Sequence, residues 1–507
     1  MHNILDVPTR VAHRDSCDAS TRRRPASAPN PIDLQGGGMV RRAYAQRSVF
    51  AVLLPDGDKL WDAELQAMDE ILDDDDVVDL VDAALRRRYP LSGRRGRFGT
   101  PATVVLRMLL LKHLRDWSFD ECEREVRGSL VYRAFCRIDC ERAPDAKTLI
   151  RLAHLIGPET LQPLLERMVG IARQRRVTRG RRLRVDTTVV ETNIHYPTDS
   201  SLLADGVRVL TRLMKRLAPR VGSAPTGIRD RTRSVTRRVF ELVQRSRASG
   251  RGSAATQAAR TARVTTLYRE LMAITRAVVH QADVLGRRVV SRRTRVVTQR
   301  GGKLQKTASL VRRVLAQARA RVLKGDTHHP DKVLSIFEPH TEVIRKGKAA
   351  KPTEFGNVVK LQEADGHIIT DYQVCAPRVP DDCLWGPALE RHRALFGRPP
   401  RLAVADAGFA STANERLAAS LGVERVALPR RGRPPSTAPP RPRWYRRALR
   451  WRTGSEGRIS AVKRCHGLRR CRYRGPQGME RWVGLGVLAS NLRILARAGP
   501  TRGSGRR

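Results

Sequence analysis

Three acidic residues, Asp186, Asp406 and Glu456, are where the sequence most strongly suggests chemistry. Asp186 stands inside the β-branched run from Arg182 to Glu191, which reads as a strand. An ionised carboxylate is costly in apolar surroundings, so a buried strand normally rejects one. The plain alternative is a strand with one solvated face, shared by Asp186 and Thr188. Asp406 closes the short apolar run Leu402-Ala403-Val404-Ala405 just before Gly408, and Glu456 lies on a basic terminal segment. In a mixed sheet with helical crossovers, the first strand and the strand after the first helix can be neighbours, which would set Asp186 beside Asp406. Left alone, the two would repel. A hard divalent cation, Mg2+ or Mn2+, relieves this by taking carboxylate oxygens while keeping waters. Two such ions about 3.5 to 4 Å apart can clamp the attacking and leaving oxygens of a phosphodiester.

Basic residues accompany the third acid. Arg452 precedes Glu456 by one helical turn and Lys463 follows it by about two, so the three share one face if the segment is helical. Gly454 and Gly457 count against a helix there. Trp444 and Trp451, set among Arg, either stack on unpaired bases or cover the core. His328-His329 reads as a solvent loop, and Cys136 and Cys140, one turn apart, read as core thiols.

Helices must hold these residues in place. From 59 to 88 the spacing predicts two short helices; Pro101 opens a buried one carrying Val105, Leu106, Leu109, Leu110 and Leu114. Ser118 with Glu121 forms a capping box, and Asp145 opens a further helix. Short helices at this density suggest a helix-turn-helix-like domain over 55–178. After the first strand, residues 207–322 hold 29 basic and 4 acidic side chains. Val264, Leu267, Leu271, Ile274 and Val278 give this block a helical apolar stripe, with low-complexity disorder expected over 219–260. A hairpin (Val358 to Gln362, a turn at Ala364-Asp365-Gly366, Ile368 to Val374) leads to a helix from Asp381, the strand at 402–406, a helix from Ser411 and a strand from Val423. Segments 1–54 and 496–507 are expected to be disordered, and 430–443 is a Pro/Arg linker.

Composition narrows the partner. The 507 residues carry a formal charge of +48, with 85 Arg and 13 Lys. The planar Arg fork matches phosphate, so a polyanion, above all nucleic acid, is the expected partner. The basic block looks like a phosphate-backbone clamp, because so few acids balance it. No apolar run is long enough to cross a membrane. Eight scattered Cys without a C-x-x-C pair suit reduced thiols in a cytosol and exclude a zinc finger of that type.

The acids Asp186, Asp406 and Glu456, with Arg452 and Lys463 in the spacing Arg-(3)-Glu-(6)-Lys, resemble those of the DDE transposases of bacterial insertion sequences. The runs Arg184-Val-Asp-Thr-Thr-Val-Val-Glu-Thr-Asn and Glu480-Arg-Trp-Val-Gly-Leu-Gly-Val-Leu-Ala-Ser-Asn are similar to those of the ISNCY-type group, and 96–157 resembles the helical domain preceding such cores. The resemblance implies an α/β ribonuclease H-like mixed sheet flanked by helices (179–206 and 323–495), preceded by an all-α DNA-binding domain and interrupted by the Arg-rich helical insertion at 207–322. It further implies Mg2+ or Mn2+ at the three acids, and Arg452 and Lys463 on DNA phosphates. Terminal inverted repeats and target DNA would be the partners, bound by a homo-oligomer in the bacterial cytoplasm at the nucleoid. The departures are Leu449, where the family places Tyr, and the long stretch between the first two acids, which keeps Asp199 and Asp205 as alternatives to Asp186. The competing functions are a junction nuclease of the same fold and a catalytically silent DNA-binding derivative.

Overall fold

A computed structural model describes residues 42–43, 61–87, 99–222, 227–247, 252–290, 295–330, 332–345, 353–430, 432 and 441–499. The expected disorder of 1–54 and of 496–507, and the linker reading of 430–443, fall wholly or largely outside these residues.

Short polar side chains start the first helices. Asp62, Asp74, Ser118 and Asp145 each accept from the backbone N–H three residues on, satisfying donors that a helix start leaves unpaired. Ser118 and Glu121 complete the capping box. The helices are α1 (Ala63–Leu72), α2 (Asp75–Arg86), α3 (Ala102–Leu114), α4 (Phe119–Gly128), α5 (Leu130–Phe135), α6 (Ala146–Ala153) and α7 (Pro158–Gln174). Every residue of α3 is buried, so it forms the axis around which the others pack. The last helix of the chain, α15 (Pro476–Arg497), joins that core, so the two ends of the described chain share one hydrophobic cluster.

The sheet is mixed. β1 (Arg182–Thr192) pairs antiparallel with β3 (Thr353–Ala364) on one side and parallel with β5 (Leu402–Val404) on the other. β3 also pairs with β2 (Glu342–Arg345) and β4 (Ile369–Cys375), and β5 pairs parallel with β6 (Arg425–Ala427). The short β7 (Arg470–Cys471) lies beside the far end of β1. The expected hairpin is therefore present, turning at Asp365–His367 with Gly366 at φ +77°, a conformation that glycine adopts without steric cost. Helices α12 (Trp385–Phe396) and α13 (Thr412–Ser420) connect β4 to β5 and β5 to β6.

Between β1 and β2 stand α8 (Asp199–Leu217), α9 (Thr232–Arg247), α10 (Ala254–Val290) and α11 (Arg295–Lys324), packed around a core of their own. Low-complexity disorder over 219–260 is corrected here, because α9 and the start of α10 occupy that stretch. Val235 and Leu242 are buried in it, two turns apart, and this apolar seam holds α9 down despite the surrounding Arg. A second correction concerns Cys140. Cys136 is buried but Cys140 is exposed, because the chain leaves α5 at Arg137 (φ +59°) and helical spacing does not extend past it. Among the described residues no helix is long and apolar enough to cross a membrane.

Candidate active site between the first strand and the basic helix

β1 and β5 run parallel with Arg184 level with Val404. Extending that register by two residues sets Asp186 level with Asp406, just past the end of β5. Asp406 is held by the Gly408 N–H, which donates to its Oδ1 at 2.8 Å. Asp186, half-buried, accepts at Oδ1 from the Thr187 N–H at 2.8 Å and at Oδ2 from the Ser455 hydroxyl at 2.6 Å. Burial pushes its carboxyl above the usual carboxylate range. The Ser455 bond opposes that, and the neighbouring Asp406 charge adds to it.

Ser455 belongs to α14 (Arg443–Cys465), which runs unbroken through Gly454 and Gly457. At 100° per residue, Arg452, Glu456 and Lys463 fall within about 40° of one another, so the face expected of them exists. Gly454 has a packing reason to be there. A Cβ at that position would lie 2.7 Å from Nη1 of Arg184. Arg184 comes from β1, is buried, and donates from Nε and Nη2 to Glu363 of β3 at 2.8 and 2.5 Å and from Nη1 to the Trp451 carbonyl at 2.7 Å. Its guanidinium also lies 5.0 Å from the centre of the Trp451 ring. The Arg184 to Trp451 hydrogen bond thus fastens the basic helix to the strand that carries Asp186, with the guanidinium held in place by its buried ion pair to Glu363.

The predicted residues are not all drawn together. Asp186 and Asp406 interact, and Arg452 is near enough for its charge to favour the Asp186 carboxylate. Glu456, one residue beyond Ser455, is exposed, and Lys463 is half-buried two turns further on. Among the described residues no group of three or more His, Cys, Asp or Glu is placed to hold a metal ion. Two oxygen donors with adverse mutual charge fit a hard divalent cation; a three-acid cage is not assembled in this arrangement.

Asp199 and Asp205 are no loop residues, as their sequence surroundings had suggested. Both lie on α8, where Asp199 accepts from Gln317 and Arg321, and Asp205 from Arg208. His328 and His329 are in a loop, and Trp444 and Trp451 cover the small cluster of Val404, Ala427 and Ala448. Sequence reasoning missed Ser455, whose only signal was its place beside Glu456 in the helical spacing. It also missed Asp381: a Cβ at Gly408 would lie 2.8 Å from Asp381 Oδ2 and 3.1 Å from Asp406 Oδ1, so the glycine separates two acids. Asp381 and Gly408 line an open cavity of about 550 Å³, together with Asp382, Ser411, Arg378 and Arg430.

Residues 55–155 match the family described as Transposase domain (DUF772). The chain is also similar to a protein of Rhizobium meliloti described as uncharacterized protein ORF8 in nfe locus, with 32% identity over 127 residues. That match covers 24% of this chain and 61% of the relative. No solved structure matches.

Proposed function

We propose that the chain is a DNA transposase of the DDE type, of the ISNCY-type group of bacterial insertion sequences. The observation that carries this reading is the Ser455 to Asp186 hydrogen bond. It seats α14, with Arg452 and Glu456, against the strand end where Asp186 and Asp406 lie close. The match of 55–155 to a transposase domain supports it from the other end of the chain. Sheet order lends further support: a central β1 with an antiparallel hairpin on one side and parallel strands on the other suits a ribonuclease H-like core.

In this reading Asp186 and Asp406 would hold Mg2+ or Mn2+, which when bound would activate the attacking oxygen and neutralise charge at the phosphate. Glu456 is the third acid that the resemblance implies, to be brought in from the exposed side of α14 when DNA and metal bind. Ser455 and the Thr187 N–H orient the Asp186 carboxylate. Arg452 and Lys463 hold phosphates of the DNA end, so that the attacking oxygen stays in line with the scissile bond. Water attacks the phosphorus at the element's end, forming one P–O bond as the bond to the 3′-oxygen breaks and leaves a 3′-hydroxyl. That hydroxyl then attacks a target phosphodiester, forming a new P–O bond as the target strand's own P–O3′ bond breaks and releases a target 3′-hydroxyl. No protein side chain becomes covalently attached. Terminal repeats and target DNA are the partners, and more than one copy assembles on DNA at the bacterial nucleoid.

The test uses the full chain, DNA from both sides of its gene, and Mg2+ or Mn2+. Asp186→Asn, Asp406→Asn and Glu456→Gln are each expected to abolish strand cleavage and transfer while leaving DNA affinity within a few fold. Normal cleavage by any one variant removes that residue from the site. Cleavage by none of the proteins, wild type included, with DNA binding intact, would favour the silent DNA-binding derivative.

A further inference from the structure

The helical insertion spends all its acids on itself. Asp230 is paired with Lys215, Glu241 with Arg245 and Arg263, Glu270 with Arg238 and Arg263, and Asp283 with Arg312. Arg269, Arg276 and Arg287 take no part in these pairs. On α10 they are ordered. Arg269, Arg276 and Arg287 are exposed and spaced by 7 and 11 residues, intervals that return to the same helical face. None of the three has a carboxylate partner among the described residues. Leu271, Val278, Ala282, Leu285 and Val289 lie about half a turn away and are buried in the insertion's core, so the arginines point straight outward. Between them the outer face carries Ala273, Ala277 and His280, short or neutral side chains; Asp283 stands to one side, occupied by Arg312 at 2.5 Å.

We propose that this outer face of α10 is a docking ridge for the phosphate backbone of duplex DNA, used without regard to base sequence. The proposal rests on the reading of the chain as a DNA-processing protein and assigns part of the DNA contact to the insertion. Arg269 to Arg287 spans about 27 Å at 1.5 Å per residue, a length of duplex carrying roughly 16 phosphate charges. A straight row of Arg forks separated by alanines admits a backbone closely and matches phosphate oxygens in geometry. A second copy of the same ridge is opposed by like charge, which argues against self-association through this face.

The experiment measures binding of the full chain to a random-sequence duplex over a range of salt concentrations, with phosphatidylserine vesicles as a second probe. Each phosphate contact contributes a slope of about −0.9 in log affinity against log salt, so changing all three arginines (Arg269→Gln, Arg276→Gln, Arg287→Gln) should flatten the slope by about 2 to 3. The same three positions changed to Lys should keep most of the slope, and Arg276→Gln alone should lose about one unit even if the triple variant folds poorly. An unchanged thermal midpoint is expected, since the side chains touch no core. Three exposed arginines elsewhere (Arg393→Gln, Arg401→Gln, Arg416→Gln) provide the charge-matched control. An unchanged slope, an equal loss in the control, or a loss seen with vesicles and not with duplex would overturn the ridge. The Asp186→Asn protein separates the two readings: normal cleavage by it with a ridge-dependent slope sinks the proposed catalytic site and leaves the ridge standing.

Discussion

Two helical regions of this chain treat arginine in opposite ways. In α1–α7, Arg107 is fully buried and donates to Asp69, to Asp73 and to the Phe135 carbonyl, while Arg137 reaches the same two aspartates and Arg167 grips Asp74. In α8–α11 the arginines outnumber their acids several-fold and the surplus faces solvent. The first arrangement joins helices to one another. The second leaves charge available for something outside the chain. Overall net charge does not distinguish these uses; partner supply does, because a buried charge needs its counter-charge and a surface charge does not.

The strongest way to break the contrast is Arg107→Met. Removing one member of a buried pair strands the other, and burial already pushes the Asp69 carboxyl up and the Arg107 guanidinium down. Chemical denaturation should show a loss of about 3 to 5 kcal/mol. Adding Asp69→Leu to that variant should recover a large part of it; no recovery would mean that Arg107 acts mainly through its packing.

A smaller, pH-dependent effect is expected at Lys112 of α3. Its buried ammonium sits over Phe119, Tyr473 and Trp482 at 4.9, 5.2 and 4.7 Å, and burial lowers its pKa to about 8. Between pH 8 and the ordinary Lys value the unfolded chain holds a proton that the folded chain has lost, so stability should rise with pH across that window. The rise should be on the order of 3 kcal/mol relative to Lys112→Met, whose own curve should lack it. Parallel curves for the two proteins would show that the ring cage, and not desolvation, governs this ammonium.

The smallest effect belongs to the insertion. Asp283→Asn removes the exposed partner of Arg312, and exposed pairs contribute little, so the cost in stability should stay below about 1 kcal/mol. The same variant leaves one more uncompensated arginine beside the α10 ridge and should tighten duplex binding slightly at low salt. A cost as large as that of Arg107→Met would erase the distinction between the two regions.

Local patterning was sufficient for much of the fold. Ser118 and Asp145 announce helix starts because capping needs only a residue and its neighbours three positions on, and the hairpin over 358–374 is legible because strand texture and turn residues are equally local. Disorder over 219–260 was misjudged for a related reason. Arg dominates the composition there, and the seam that orders α9, Val235 and Leu242, has meaning only when α8 and α10 supply the surface it packs on.

The sequence by itself determined which acids and bases were available, and that Arg452, Glu456 and Lys463 would share a face if their segment were helical. It also determined the charge surplus of the insertion, since composition and 3.6-residue spacing require no knowledge of neighbours. Only the tertiary structure decided that Asp186 and Asp406 lie close, that Ser455 is the helix residue touching Asp186, and that Glu456 stays on the exposed side. Those facts depend on strand register, on the Arg184 to Glu363 pair and on the Arg184 to Trp451 hydrogen bond that seats α14, contacts between residues about 180 to 270 positions apart that no local pattern encodes.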